Sequence, residues 1–461
     1  MRLTILGAGP GGYVAAIRAA RSGLKVTVVE KDEPGGTCLN RGCIPTKSII
    51  ASIELLKKIR LSHNFGIDVP AEVKPDLNKI IARKNKIVQT QVNGIINLFK
   101  FHGIEIKKGK GYLLSPRSIL VTDNGSKQEV IESDVIIIAT GSRPYQIPSI
   151  PFDNKLIISS DDALNITDIP KNIVILGAGV IGCEFAFIFK LLGSDVTLVE
   201  LLPRPLSTED IDITNILERE LKKLGIKLFA STKVEKVITE NSSIKVYLSN
   251  GKELITDKIL VTAGRSFNTE NIGIENAGII KGNRGEILVN NRFQTNTSNI
   301  YAVGDVIGKM MLAHVAAREG ITAVENIIGN NTTIDYNSIP SAIFTLPEIA
   351  SVGLREFQAN EQGIKINTGH FQFRMLARSH TIGEIDGLVK VISDANTDKL
   401  LGVHIIGPHA SDIIHEAVLA IRKGLKTKDI SETIHAHPTF SEAILEASDD
   451  VYGKAIHIIK K

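Results

Sequence analysis

Short apolar runs alternate with glycine turns and helical segments in the first part of the chain. Residues 3–6 are apolar, a glycine-rich turn follows them, and residues 13–22 carry the small side chains of a closely packed helix that ends at Gly23. Residues 26–29 are apolar again and lead to Glu30. Apolar runs of this length, rich in Val and Ile, are typical of buried parallel strands, so the pattern predicts a β–α–β unit.

The same pattern returns further along the chain with unchanged spacing. Its predicted strands lie at 171–176 and 196–199, and the second strand ends at Glu200, the counterpart of Glu30. A single glycine motif is weak evidence for a nucleotide site, because glycine turns also merely connect strands to helices. Two complete units, each with strand, turn, helix and terminal acid, predict two dinucleotide sites.

A G-x-G-x-x-G motif lies between the first strand and the helix of each unit. In this motif the first glycine permits a tight turn, the second leaves room for a pyrophosphate, and the third lets the helix pack closely on the strand. The helix N-terminus then offers free N–H groups to the phosphates. We predict two phosphate-binding turns, one formed by Gly7, Gly9 and Gly12 and the other by Gly177, Gly179 and Gly182.

The acid that ends each unit is placed to accept hydrogen bonds from ribose hydroxyls. A carboxylate at Glu200 favours a free 2′-hydroxyl and repels a 2′-phosphate, which predicts NAD rather than NADP. Arg204 lies just beyond it, but Pro203 and Pro205 mark a loop, so we expect Arg204 to face solvent.

Composition narrows the class of protein further. A chain of 461 residues predicts about three or four domains. Tryptophan is absent and aromatic residues make up 5% of the chain, so the core is expected to be aliphatic. The 54 basic and 50 acidic residues are dispersed, and no basic run indicates nucleic-acid binding.

No segment approaches the roughly 18 apolar residues of a membrane span. The chain opens directly on a predicted strand, without the pattern of a signal peptide, which predicts a cytoplasmic protein.

Two of the three cysteines, Cys38 and Cys43, lie five residues apart. Pro45 suits the first turn of a helix and apolar residues follow with helical spacing, so Cys43 is expected near a helix N-terminus, where a thiolate is stabilised. A loop is expected to bring the two sulfurs together. In a reducing compartment such a pair indicates redox catalysis, or metal binding, before structural bridging. Cys183, inside the second nucleotide-binding helix, is expected to be a small buried apolar residue.

The segment G-G-T-C-L-N-R-G-C-I-P-T-K around these cysteines resembles the active site of the pyridine nucleotide–disulfide oxidoreductases. The resemblance implies that Cys38 exchanges with substrate and that Cys43 lies against a flavin as the charge-transfer thiol. It also implies that Lys47 lies near the flavin ring and pairs with Glu184.

The segment H-A-H-P-T-F-S-E, at 435–442, is similar to the C-terminal motif of the family members that oxidise dihydrolipoamide. Oxidation of a dithiol needs a base, which histidine can supply, and a nearby carboxylate orients the imidazole. The resemblance makes His437 the base and Glu442 its partner. It leaves His435 open between a direct role and packing, and Phe440 stands where the motif usually has Leu. In the family the base comes from the other subunit, which implies a homodimer.

Further segments resemble the family's cofactor contacts. They imply that Asp305 binds the ribityl chain of FAD and leave His314 open between the flavin ring and packing. The resemblance also implies that FAD is contacted by Thr140, Gly141 and Ala313, and that NAD is contacted by Gly264.

The predicted fold class is α/β, with two Rossmann-like domains for FAD and NAD and a C-terminal α+β dimerisation domain. The expected limits are an FAD-binding domain at 1–145, an NAD-binding domain at 146–267, a central domain at 268–335 and an interface domain at 336–461. The implied reaction is oxidation of protein-bound dihydrolipoamide with reduction of NAD. Implied partners are the lipoyl domains and acyltransferase core of a 2-oxo acid dehydrogenase or related complex, and the sequence does not name which.

Overall fold

The computed structural model describes residues 1–70, 72–123, 125–240 and 243–459. In chain order the strands are β1 (Arg2–Leu6), β2 (Lys25–Glu30), β3 (Glu105–Lys108), β4 (Lys110–Ser115), β5 (Ser118–Thr122), β6 (Gln128–Glu132), β7 (Val135–Ile138), β8 (Ser142–Pro144), β9 (Ile157–Ile158), β10 (Asn172–Leu176), β11 (Asp195–Val199), β12 (Lys227–Phe229), β13 (Val234–Glu240), β14 (Ser243–Leu248), β15 (Glu253–Thr256), β16 (Lys258–Val261), β17 (Arg265–Phe267), β18 (Ile300–Ala302), β19 (Ser341–Ile343), β20 (Glu348–Gly353), β21 (Ile366–Gln372), β22 (Leu388–Asp394) and β23 (Leu400–Gly407). The helices are α1 (Pro10–Arg21), α2 (Gly36–Arg41), α3 (Cys43–Arg60), α4 (Leu77–Phe101), α5 (Ser160–Ala163), α6 (Val180–Leu192), α7 (Ile211–Lys223), α8 (Ala313–Ile327), α9 (Glu356–Glu361), α10 (Ala377–Ile382), α11 (Ala410–Ile413), α12 (His415–Lys423), α13 (Thr427–Ser431) and α14 (Glu442–Asp450).

Two five-stranded parallel sheets carry the two predicted units. The first has the order β18-β7-β1-β2-β3 and the second β12-β11-β10-β16-β9. A three-stranded antiparallel sheet accompanies each of them, formed by β4, β5 and β6 in the first unit and by β13, β14 and β15 in the second. The glycine turns therefore lie at the carboxyl ends of the central strands β1 and β10, where open parallel sheets bind ligands.

The central strands are buried because helices pack on one face of each parallel sheet and the three-stranded antiparallel sheet packs on the other. Four of the five residues of β1 and four of the five in β10 are buried, and Ile5 and Ile175 have no exposed surface. Aliphatic side chains dominate the core around both sheets, as the composition predicts.

The C-terminal part is a separate antiparallel sheet of order β19-β20-β23-β22-β21, with short helices around it. This confirms the predicted α/β fold with a C-terminal α+β domain. Two short helices of this domain, α11 and α12, meet at Ile414. None of the helices in the described ranges combines the length and apolarity needed to cross a bilayer.

Candidate active site

One cavity of about 1580 Å³ runs between the two parallel sheets. Its volume exceeds the roughly 300–1,000 Å³ of an ordinary small-molecule pocket, as a site for two dinucleotides requires. The predicted residues that line it are Gly7, Gly9, Glu30, Cys38, Cys43, Lys47, Thr140, Gly141, Gly177, Gly179, Glu184, Glu200, Gly264, Asp305, Ala313 and His314.

The two glycine turns have nearly the same backbone geometry. Gly7 and Gly177 have φ of 100° and 103°, and a Cβ at Gly7 would come within 2.4 Å of the Ala139 carbonyl oxygen. A Cβ at Gly12 or Gly182 would lie 1.9 Å from the carbonyl oxygen of the turn's first glycine, so glycine is required for the close approach of helix and turn.

The N-terminus of the helix that follows each glycine turn lies open at the cavity. The helices α1 and α6 begin without a side-chain cap, so their first N–H groups remain available at the cavity. A Cβ at Gly179 would meet no atom within 4 Å, which leaves the space that a pyrophosphate needs. Both turns therefore fit a dinucleotide.

The acids at the strand ends are held in the same way in both units. Glu30 is 7% exposed and accepts hydrogen bonds from the N–H groups of Ala8 and Asp32, at 2.7 and 2.8 Å. Glu200 accepts from the corresponding N–H groups of Ala178 and Leu202, at 2.5 and 2.8 Å. Each carboxylate oxygen keeps a lone pair for a further donor, as contact with ribose hydroxyls requires.

Arg204 does not face solvent, so that prediction is wrong. Its Nη2 donates to the carbonyl oxygens of Ser207 and Glu209, at 2.8 and 3.3 Å, and its guanidinium lies over the ring of Phe357. The predicted loop is present, but it folds the guanidinium inward, where two of the loop's own carbonyl oxygens accept hydrogen bonds from Nη2.

Cys38 and Cys43 form a disulfide at the cavity wall. Cys38 lies on the short helix α2 rather than in the expected loop, whereas Cys43 is the first residue of α3, at the helix N-terminus as predicted. No side chain caps α3, so after reduction its N-terminus would stabilise a thiolate on Cys43. Cys183 is fully buried, and burial raises the pKa of its thiol, as expected for a packing residue.

Lys47 and Glu184 form an ion pair in the cavity wall. Lys47 Nζ donates to both carboxylate oxygens, at 2.8 and 2.9 Å, and Glu184 has a side chain only 4% exposed. The backbone N–H of Phe344, from the C-terminal domain, donates to the same carboxylate at 3.0 Å. Reasoning from the sequence missed Phe344, since nothing near it in the chain indicates a site.

A second cluster of polar side chains surrounds Asp305. Ser142 Oγ donates to Asp305 Oδ2 at 2.5 Å and accepts from Arg265 Nε at 2.6 Å. Thr140 and Asn268 also bridge the two units, since each donates from its side chain to the other's carbonyl oxygen, at 2.8 and 2.9 Å. The segments that follow β7 and β16 therefore contact each other, which their similar sequences did not reveal.

Glu319 is a buried acid that sequence reasoning also missed. It lies on α8 with no exposed surface and accepts from the N–H of Gly304, the residue before Asp305, at 2.7 Å, and from the hydroxyl of Tyr336, at 2.7 Å. Burial raises its pKa to about 7. An acid at helical spacing from the apolar residues Val315, Ala316 and Ala323 was the available signal.

The three histidines that the sequence singles out lie in different surroundings. His437 is 71% exposed and its Nδ1 lies 2.8 Å from Glu442 Oε1, the predicted pair. His435 instead hydrogen bonds through Nε2 to Glu416 and through Nδ1 to the Thr433 carbonyl, with 5% of its side chain exposed, which favours packing. The described residues that line the cavity include none from 435–442. His314 lines the cavity, and its Nε2 hydrogen bonds the Pro340 carbonyl.

Comparison with known proteins accounts for this arrangement. Residues 1–320 match the family described as pyridine nucleotide-disulphide oxidoreductase, and residues 339–448 match the dimerisation domain of the same family. The chain belongs to this family. Dihydrolipoyl dehydrogenase of Bacillus subtilis is 42% identical over 99% of this chain and 98% of its own. The counterpart of Chlamydia muridarum is 41% identical over 96% of this chain and 95% of its own.

The fold of the chain also matches the fold of a solved structure. LpdA of Mycobacterium tuberculosis superposes with a TM-score of 0.92 at 29% identity, over 97% of this chain and 99% of its own. As a member of the pyridine nucleotide–disulphide oxidoreductases, the chain is a flavoprotein disulfide oxidoreductase that uses FAD and a pyridine nucleotide. Its dimerisation domain supports a homodimer.

Proposed function

We propose that this protein oxidises protein-bound dihydrolipoyl groups to lipoyl groups and reduces NAD to NADH. The observation that carries the proposal is the Cys38–Cys43 disulfide, which lies in one cavity together with both glycine turns. The relatives that match nearly the whole chain, named dihydrolipoyl dehydrogenases, support the choice of substrate.

The cofactors are assigned to the two units in chain order. In the first unit we assign to FAD the residues Gly7, Gly9, Gly12, Glu30, Lys47, Thr140, Gly141, Asp305 and Ala313. In the second unit we assign to NAD the residues Gly177, Gly179, Gly182, Glu200 and Gly264. NAD is preferred over NADP because Glu200 places a carboxylate where a 2′-phosphate would lie, and Arg204 is held elsewhere.

The chemistry is thiol–disulfide exchange followed by electron transfer. One substrate thiol loses its proton to His437, and the thiolate attacks Cys38 Sγ, which breaks the Cys38–Cys43 bond and forms a mixed disulfide. The second substrate thiol then attacks the mixed disulfide, so that lipoamide leaves and the two cysteines hold two electrons.

Bound FAD supplies a two-electron path from the Cys43 thiolate to NAD. The protein groups set the charges along that path: the N-terminus of α3 stabilises the thiolate, and Lys47, anchored by Glu184, supplies a positive charge. Glu442 orients the His437 ring through Nδ1, which leaves Nε2 for the substrate.

His437 reaches the cavity from the partner subunit of a homodimer. The exposure of His437 and its absence from the described lining of its own chain's cavity support this assignment. Each dimer then has two sites, and both subunits contribute to each.

A dihydrolipoyl substrate implies the partners of the protein, which are lipoyl domains and the acyltransferase core of a 2-oxo acid dehydrogenase or a related lipoyl-dependent complex. The compartment that we assign to the protein is the cytoplasm. The domain limits 1–145, 146–267, 268–335 and 336–461 belong to the same proposal.

A panel of disulfide and dithiol substrates tests the function. The purified protein is given NAD with dihydrolipoamide, and separately NADH or NADPH with glutathione disulfide. We expect rapid NADH formation in the first assay and little oxidation of either nucleotide in the second. Turnover of glutathione disulfide without turnover of dihydrolipoamide would contradict the substrate assignment and leave the fold and cofactors in place.

A further inference from the structure

Phe344 contacts both members of the Lys47–Glu184 pair. Its backbone N–H donates to Glu184 Oε1 at 3.0 Å, and its ring lies beside Lys47, with Nζ 4.6 Å from the ring centroid. Glu184 Oε1 therefore accepts from Lys47 and from Phe344 at once.

The Glu184 carboxylate and the Phe344 ring each contact the Lys47 ammonium. A lysine side chain is flexible and its ammonium can donate hydrogen bonds in several directions. Contact with a single carboxylate therefore leaves the ammonium several possible positions. The ring face attracts the ammonium and occupies a position that water would otherwise take. Lys47 is only 29% exposed even though it lines the cavity.

Phe344 belongs to a different part of the fold from its partners. Lys47 lies on α3, which begins at Cys43, and Glu184 lies on α6 of the second nucleotide unit. Phe344 directly follows β19 of the C-terminal sheet, and of the described residues in 336–461 only Ala342 and Phe344 line the cavity.

We propose that Phe344 is a positioning residue, which holds the Lys47 ammonium in place and links the C-terminal domain to the redox site. The inference rests on the proposed function in one respect, namely that Lys47 faces the flavin. Removal of the ring leaves the contact between Lys47 and Glu184 in place but lets water reach the ammonium. The position of the positive charge beside the flavin then becomes more variable.

The test replaces Phe344 with Leu and with Met, two apolar side chains that keep most of the volume, and with Tyr, which keeps the ring. The matched control is Phe229→Leu, since Phe229 has Lys252 Nζ at 4.7 Å from its ring centroid but does not line the cavity. All variants are compared as FAD-loaded dimers with wild-type protein.

The first readout is the reaction of Lys47 with an amine-specific acylating reagent, followed by mass spectrometry. Because the ring lies against the Lys47 amine and holds it in place beside Glu184, Phe344→Leu and Phe344→Met are expected to react about 3- to 10-fold faster at Lys47, and Phe344→Tyr at the wild-type rate. In Phe229→Leu the rate at Lys47 is expected to stay unchanged. Wild-type rates in both the Leu and the Met variants would overturn the proposal.

The second readout is the long-wavelength thiolate–flavin absorbance of the two-electron-reduced protein, together with kcat and KM. The Leu and Met variants are expected to lose absorbance and about 3- to 10-fold in kcat, with KM for dihydrolipoamide within about twofold. A rise in KM alone would overturn the positioning role. If wild-type protein fails to turn over dihydrolipoamide, the proposed function fails, but the Lys47 reaction rates still decide the role of Phe344.

Discussion

Lys47 Nζ lies 2.8 and 2.9 Å from the two carboxylate oxygens of Glu184, which joins α3 to α6. The helix α3 begins at one cysteine of the disulfide, and α6 begins at the second glycine turn. The pair therefore connects the thiol-bearing helix with the unit assigned to NAD, and its carboxylate is almost fully buried.

The substitution Glu184→Gln tests the importance of this pair. The amide keeps the shape but loses the charge, and a hydrogen bond to a charged group contributes about 1.5–3 kcal/mol, so we expect kcat to fall about 10-fold or more. The control is Glu209→Gln, which disrupts another buried pair, with Arg355 at 3.2 Å, outside the cavity. It should lower the thermal unfolding midpoint and leave kcat unchanged. Equal losses of kcat in both variants would contradict a specific role.

The equivalent acids Glu30 and Glu200 provide a matched pair of variants. We expect Glu200→Gln to lower the preference for NAD over NADP by about 10-fold or more, because the repulsion of a 2′-phosphate is removed. We expect Glu30→Gln to release FAD more readily and to leave the nucleotide preference as it is. The measurements are kcat/KM with each nucleotide and FAD retention on dilution. A changed preference in Glu30→Gln alone would reverse the assignment of the two units.

Shared active sites predict complementation between two inactive variants. Dimers of His437→Gln lack the base and dimers of Cys43→Ser lack the disulfide, but a mixed dimer contains one complete site if His437 acts across the interface. Random reassembly of equal amounts should restore about a quarter of wild-type activity. If mixing restores nothing although mixed dimers form, base and disulfide act within one chain.

The pair of His435 and Glu416 predicts a pH dependence of stability. The hydrogen bond that His435 Nε2 donates to the Glu416 carboxylate raises the pKa of His435 above its ordinary value of 6.5. A raised histidine pKa contributes stability that is complete below pH 6.5 and is lost as the pH rises through the folded-state value. Glu416→Gln should therefore lower the unfolding midpoint by about 1–3 °C at pH 6, and by less at pH 8.5. The control Glu432→Gln affects an exposed pair with Lys428 and should show no such trend. A constant difference across this pH range would contradict the assignment.

The features predicted correctly from sequence depend on residues that are near one another in the chain. The glycine turns, the acids at the strand ends and the position of Cys43 at a helix N-terminus all follow from spacing within about 30 residues. The prediction of a loop at Cys38 was wrong, since Cys38 lies on the short helix α2. This helix spans only six residues, which are too few to show a helical period in the sequence.

The features that were missed depend on residues far apart in the chain. Phe344 contacts Glu184 across 160 positions, and Arg265 contacts Ser142 across 123 positions. Such contacts depend on how the sheets pack against one another, which local patterns do not contain. The orientation of Arg204 was wrong for a related reason, since the carbonyls that bind it become available only when the loop folds back.

The central claim is that electrons pass from dihydrolipoamide through the Cys38–Cys43 disulfide to NAD. The most direct measurement is NADH formation from dihydrolipoamide and NAD, with wild-type protein, the Cys43→Ser variant and, as a control, Cys183→Ala at the buried free cysteine. We predict rapid NADH formation by the wild type, a similar rate in Cys183→Ala and a loss of at least about 1,000-fold in Cys43→Ser with FAD still bound. Wild-type turnover that persists in Cys43→Ser would contradict the claim.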